Sequence, residues 1–201
     1  MKYKPHDYQK FAVDFIETHT EAAVLLECGL GKTSITLTAL NDLMFDKFEV
    51  RKVLIIAPIR VCKNSWAAEI AKWDHLEGLN YSLVLGSREQ RLAALRQKAD
   101  LYIINRENVQ WLIESSGIPF DFDMVVIDEL SSFKNHQSKR FKALRKVRPF
   151  VKRIAPSLPP FGPKQRTPQV PFGMYFSASA WYLLSARPAY STHATFGWFF
   201  R

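Results

Sequence analysis

The chain has 201 residues, 47% hydrophobic and 23% charged, with 28 Lys and Arg against 19 Asp and Glu for a formal net charge of +9. That length suits one α/β domain with an appendage and leaves little room for a second full domain. The composition is globular, and no stretch approaches the roughly 18 uninterrupted apolar residues of a membrane span, so the chain is expected to be soluble with no membrane partner.

Read from the start, Met1-Lys-Tyr-Lys-Pro-His-Asp7 lacks the apolar core of a secretory signal, which predicts a cytoplasmic location. A helical pattern over about 7–17 leads to a β-rich run at 22–26. Further runs at 53–57, 81–85, 101–104 and 124–127 alternate with helical stretches at about 32–44, 63–73, 88–98, 106–114 and 137–147. Such alternation predicts parallel strands joined by right-handed crossovers, an α/β fold of three layers with ligands at the carboxyl ends of the strands. Near residue 155 the character changes. Seven of the 11 prolines fall in residues 151–201, acidic residues vanish, and aromatics appear without period. Prolines at 156, 159, 160 and 163 should break any helix or central strand there, so an irregular tail is expected from residue 155 onward.

Charge follows the same division. All 19 acidic residues lie before residue 130; residues 1–150 carry 22 basic residues for a balance of +3, and residues 151–201 carry six basic residues and no acid. The overall basicity is mostly the tail's, so bulk charge does not argue for nucleic acid; a local patch would have to. Cys28 and Cys62 are too far apart for a Cys-x-x-Cys site and too few for a disulfide framework, and the five histidines lack zinc-ligand spacing.

Two motifs sit at predicted strand ends. Gly29-Leu-Gly-Lys-Thr33 follows the run Ala22–Leu26, and Asp128-Glu129 closes the run Met124–Ile127. Glycines let backbone N–H groups wrap phosphates, Lys32 can reach the β and γ oxygens, and the Thr33 hydroxyl can ligate Mg²⁺. Asp128 would hold the metal from the other side, with Glu129 orienting or deprotonating an attacking water. The strict phosphate-loop pattern requires Gly where Leu26 stands, and only its second half is intact. A glycine turn capping an ordinary helix also fits the tripeptide alone, and a solvated strand end also fits the acidic pair alone; together, in strand-turn-helix context, they point to a nucleoside triphosphate with Mg²⁺.

The ordered set of motifs resembles the first RecA-like domain of superfamily 2 helicases, and among them the Swi/Snf-type DNA translocases, over residues 4–154. Lys4-Pro-His-Asp-Tyr-Gln9 is similar to the adenine-reading segment, in which Gln9 would bond the base edge beside Tyr8 or Lys10; taken by itself, a Tyr-Gln at a helix start fits a capping or surface pair better. Glu27–Thr33 resembles the first motif of that family, where the missing early glycine is common. Val53–Pro58, with Asn64-Ser-Trp66 and Glu69, resembles the next, whose loop meets a nucleic-acid backbone. Asp128–Asn135 resembles the acidic motif, with Lys134-Asn135 in place. It departs at Leu130 and Ser131, where many relatives carry Ala or Gly and then His, and that puts the route from nucleotide site to DNA site in doubt.

The resemblance implies a RecA-like P-loop fold, ATP and Mg²⁺ as cofactors, and double-stranded DNA as partner through backbone contacts. Arg60 and Lys63 follow one strand end and Asn105 and Arg106 another, so these four are the expected phosphate contacts; solvated loops fit them equally. The basic stretch Lys139–Arg148 fits a solvated face better than a binding face. After Ile154 the family continues into a strand, a Thr-Gly-Thr-Pro-like motif and a second RecA-like domain with arginine fingers. Here Ala155-Pro-Ser-Leu-Pro-Pro160 stands instead, as an out-of-frame or otherwise unrelated tail would read. Arginine fingers are worth roughly 10³ to 10⁵ in rate. The expectation is an ATP-binding half that turns over slowly unless another chain supplies the second domain, or a nucleotide- or DNA-binding module that does not hydrolyse.

Overall fold

The computed structural model describes residues 1–26, 29–129 and 137–158. Its strands are β1 (Val24–Leu25), β2 (Val53–Ala57), β3 (Tyr81–Val84), β4 (Leu101–Asn105), β5 (Met124–Ile127) and β6 (Arg153–Leu158). Its helices are α1 (Asp7–Thr18), α2 (Lys32–Asn41), α3 (Ile59–Val61), α4 (Ala67–Lys72), α5 (Arg88–Arg96), α6 (Val109–Glu114) and α7 (Lys139–Val147). A wide π turn, Cys62–Trp66, joins α3 to α4, and another, Asp42–Asp46, ends α2. The sheet order is β1-β6-β5-β2-β4-β3, and every pairing is parallel.

The unbroken apolar runs have a physical reason. All five residues of β2, and all four of β5, are buried. A parallel sheet covered on both faces needs apolar side chains at every position, because odd and even residues enter different cores. Val53, Ile55 and Ala57 join Ala12 and Ile16 of α1, Ile35 and Leu40 of α2 and Ile70 of α4. Leu54 and Ile56 join Leu95 of α5, Leu112 of α6 and Phe141 and Leu144 of α7. Two cores of this kind make the expected three layers. The edge strand β3 instead alternates, with Tyr81 exposed and Ser82 and Val84 buried.

Helix starts follow local chemistry. At α5 the Ser87 hydroxyl accepts from the Gln90 N–H while the Gln90 side chain accepts from the Ser87 N–H, and at α7 Ser138 accepts from the Phe141 N–H. These bonds satisfy first-turn donors that have no intrahelical acceptor. Among the described residues no helix is long and apolar enough to cross a membrane.

One expectation fails at Pro156. The sheet continues past residue 154 to Leu158, and Pro156 lies inside β6, between β5 and β1. The pairing explains how it is tolerated. Ile154 N–H donates to Thr20 O and Ala22 N–H donates to Ile154 O, so even residues of β6 face the β1 side. The N–H that Pro156 lacks would also have pointed there. Glu21↔Ile154 and Val24↔Ser157 share one register, and regular strand pairing on that side resumes only past the proline. The missing donor therefore weakens the link to the edge strand and leaves the β5 ladder intact. Strand 22–26 shortens to Val24–Leu25 for the same reason. Residues 130–136, including Lys134 and Asn135, and the tail from 159 lie outside the described residues.

Candidate nucleotide site

The loop after β1 turns on two glycines held in the left-handed region, Gly29 at φ +86° and Gly31 at φ +77°. Gly31 caps α2: its carbonyl accepts from the Ile35 N–H and the Ser34 hydroxyl, both at 2.9 Å. The first turn of a helix offers N–H groups and the positive end of the helix dipole, which together favour an anion. Lys32 opens α2 and folds back so that Nζ donates to Leu26 O at 2.8 Å, while Thr33 is half-buried in the same turn. A Cβ on Gly31 would lie 2.6 Å from Gln9 Nε2 and 2.9 Å from Ser34 Oγ. The glycine is required here by close approach as well as by dihedral.

That close approach brings α1 onto the loop. Gln9 is 8% exposed; its Nε2 donates to Leu30 O at 3.4 Å, and Tyr8 Oη donates to the same carbonyl at 3.3 Å. His6 and Tyr8 stack at 5.7 Å. They border a cleft of about 300 Å³ that also takes in Tyr3, Gly29, Gly31, Ser34, Glu69, Lys72 and Trp73. Behind it Tyr3 stacks on His75 at 4.8 Å and meets Trp73 edge-on at 5.1 Å, and Trp73 Nε1 donates to Glu69 Oε2 at 2.6 Å. Burial lowers the pKa of His75, which favours its neutral form, and raises that of the Tyr3 hydroxyl. The result is an aromatic wall with a polar edge, a shape that suits a flat heterocycle.

The acidic pair lies beyond β5. Asp128 N–H donates to Ile56 O at 2.8 Å, which fixes it at the carboxyl edge, and its Oδ1 accepts from Ser157 Oγ of β6 at 2.8 Å. Glu129 is a non-glycine residue at φ +58°, an uncommon conformation that favours functional sites. Its carboxylate Oε2 lies 3.7 Å from Arg106 Nη1.

Of the four expected backbone contacts, Arg60 and Lys63 are exposed, on α3 and the π turn after it. Arg106 is partly exposed just past β4. Asn105 is placed differently: it is 6% exposed, its Nδ2 donates to Glu107 Oε2 at 2.9 Å, and its Oδ1 accepts from Asn108 Nδ2 at 2.5 Å. As the last residue of a buried strand, it braces the turn instead of facing solvent. Burial pushes Glu107 up, but hydrogen bonds from Arg106 and Asn105 outweigh it and hold the carboxyl below its ordinary value. Ser157, Tyr3 and Trp73 were not expected. Ser157 was hidden by the weight given to Pro156, and the aromatic wall by the sequence distance between Tyr3 and Trp73, which no spacing rule spans.

Three comparisons bear on this geometry. The profile of the SNF2-related domain matches residues 8–155. Protein p41 of Acyrthosiphon pisum secondary endosymbiont phage 1 is 31% identical over 150 residues, 72% of this chain and 33% of that protein. ATP-dependent helicase MG018 of Mycoplasma genitalium is 29% identical over 148 residues, 70% of this chain and 14% of its own length. The SWI2/SNF2 ATPase core of Sulfolobus solfataricus in complex with dsDNA superposes with a TM-score of 0.68 at 20% identity, over 92% of this chain and 36% of that one. The chain thus spans about a third or less of the length of each.

Proposed function

The chain belongs to the SNF2-related domain family, and on that premise we propose that it binds Mg-ATP as the first half of a DNA-dependent ATPase of translocase type. The observation that carries this reading is the convergence of Gly29, Gly31 and Lys32 after β1, Asp128 and Glu129 after β5, and Gln9 of α1 at one edge of the sheet.

The donor set fits the group. Thr33 and Asp128 offer hard oxygens, and among the described residues there is no cluster of three or more His, Cys, Asp or Glu. Mg²⁺ is commonly held by one or two carboxylates with the rest of its shell from phosphates and water, so a sparse protein set is what ATP requires. When bound, it neutralises phosphate charge and polarises the γ-phosphoryl group. The chain's own residues do the rest. Lys32 exchanges the Leu26 carbonyl for β and γ oxygens, and the α2 first turn donates N–H groups to the phosphates. Gln9 reads the base edge from the cleft beside His6 and Tyr8. Glu129 orients the attacking water and takes its proton on the carboxylate. Ser157 steadies Asp128 by donating to Oδ1, and Asp128 would hold the metal together with Thr33.

DNA enters this reading through Arg60, Lys63 and Arg106 on loops of the same edge, as phosphate contacts that set register without reading bases. Weak turnover by this chain alone is proposed, because no Thr-Gly-Thr-Pro-like stretch follows Ile154 in the sequence.

The test is Mg-ATP binding by calorimetry alongside hydrolysis with and without double-stranded DNA. Binding that disappears in Lys32→Ala, with an unchanged unfolding midpoint, supports the site. Equal ATP affinity in that variant refutes it. Turnover stimulated by DNA would mean that self-association or a residue of the tail supplies an arginine finger; binding without turnover would favour a nucleotide-binding module that does not hydrolyse.

A further inference from the structure

Arg106 and Glu129 follow different strands, β4 and β5, and have different expected tasks, one facing nucleic acid and the other the nucleotide. The fold sets them in contact, with Arg106 Nη1 3.7 Å from Glu129 Oε2. Their side chains are 31% and 52% exposed, so solvent reaches both. Among the described residues the guanidinium is anchored through Nε, which donates to Glu107 Oε1 at 2.8 Å, and Glu107 is itself held by the buried Asn105. The Nη1 side points to the carboxylate proposed for hydrolysis.

We infer that Glu129 and a nucleic-acid phosphate compete for the same face of Arg106, so that nucleic-acid binding frees the Glu129 carboxylate for the nucleotide. This rests on the proposed function and deepens it by naming the link between its two sites. The chemistry is that of a guanidinium fork, which matches carboxylate and phosphate oxygens alike. At 3.7 Å the existing contact is loose. Exposed pairs of this kind shift an equilibrium by roughly 1.4- to 5-fold, little enough for a phosphate to displace. Glu107 stays on Nε through the exchange, which lets the guanidinium change partner without losing its anchor. Linkage requires the effect to be reciprocal: removing the Glu129 charge must tighten phosphate binding by the factor that the pair contributes.

The experiment is a double-mutant cycle on DNA affinity, read by fluorescence anisotropy of a short duplex at low salt with the whole chain. Glu129→Gln is expected to tighten binding by roughly 1.4- to 5-fold. Arg106→Gln is expected to weaken it and to lower the slope of log affinity against log salt by about 1. In the Arg106→Gln background, Glu129→Gln should then change nothing. Equal tightening in both backgrounds would mean a bulk charge effect and overturn the inference while leaving the proposed function standing. Unchanged affinity in Arg106→Gln would overturn it too. Failure of the unsubstituted chain to bind any duplex would remove the proposed DNA function and this inference with it. Unfolding midpoints equal to the parent's are expected for all three variants, as both side chains are solvated.

Discussion

Replacing the two loop glycines one at a time separates the cost of dihedral strain from that of close approach. Gly29→Ala places a Cβ on a backbone at φ +86° with nothing within 4 Å, so only the left-handed conformation is penalised, at about 1–2 kcal/mol. Gly31→Ala carries the same penalty at φ +77° and also sets the new methyl 2.6 Å from Gln9 Nε2. Gln9 can swing away, since the atom in the way is the end of a flexible side chain. It then gives up its bonds to Leu30 O and from the His6 N–H, each worth about 0.5–1.5 kcal/mol. The total for Gly31→Ala is about 2–5 kcal/mol. Urea unfolding followed by tryptophan fluorescence should show the gap: with a slope of about 2 kcal/mol per molar, the Gly31→Ala midpoint falls about 0.5–1.5 M below that of Gly29→Ala. Gly31→Ala should also lose preference for adenine over guanine nucleotides. Equal midpoints for the two variants would refute the packing of Gln9 against the loop.

Arg148, whose side chain is 1% exposed, pairs with Glu21 and donates to Val151 O; Arg148→Ala should cost about 3–5 kcal/mol by scanning calorimetry, whereas Lys142→Ala on the exposed face of α7 should stay within about 0.5 kcal/mol. Ser157→Ala removes the donor to Asp128 Oδ1 and should cost about 1 kcal/mol in urea while weakening Mg-ATP binding several-fold by titration calorimetry. Burial pushes the Cys62 thiol from 9.0 to about 11, so the folded chain keeps it neutral where the unfolded chain ionises it. The stability this provides is complete below pH 9 and is lost as pH rises toward 11; unfolding midpoints across that window should fall less steeply in Cys62→Ala.

The strands were legible wherever an apolar run met the demand of a two-faced sheet, as in Val53–Ala57 and Met124–Ile127. β6 was not, because Pro156 signals a break and only the sheet order shows that its missing donor faces the weak side. Helix ends shifted where wide turns replaced the regular ladder, so the stretch expected from 63 begins at Ile59. Within the site, the placement of Lys32 at the start of α2 and of Asp128 at the carboxyl end of β5 could be read because both belong to short local motifs. Contacts between distant residues carry no such signature. The Ser157 bond to Asp128, the wall of Tyr3, Trp73 and His75, and the Arg106–Glu129 pair all depend on crossovers that bring separate strand ends together.

The position of β6 also governs the order in which the protein can be made. β1, which launches the phosphate loop near the start of the chain, pairs only with β6 among the described strands, about 130 residues later. On a ribosome the strands β2 to β5 can assemble as they emerge, while β1 waits without a partner. The loop after β1 is therefore synthesised well before the strand that seats it. The waiting edge of β1 is the segment a chaperone would have most reason to shield.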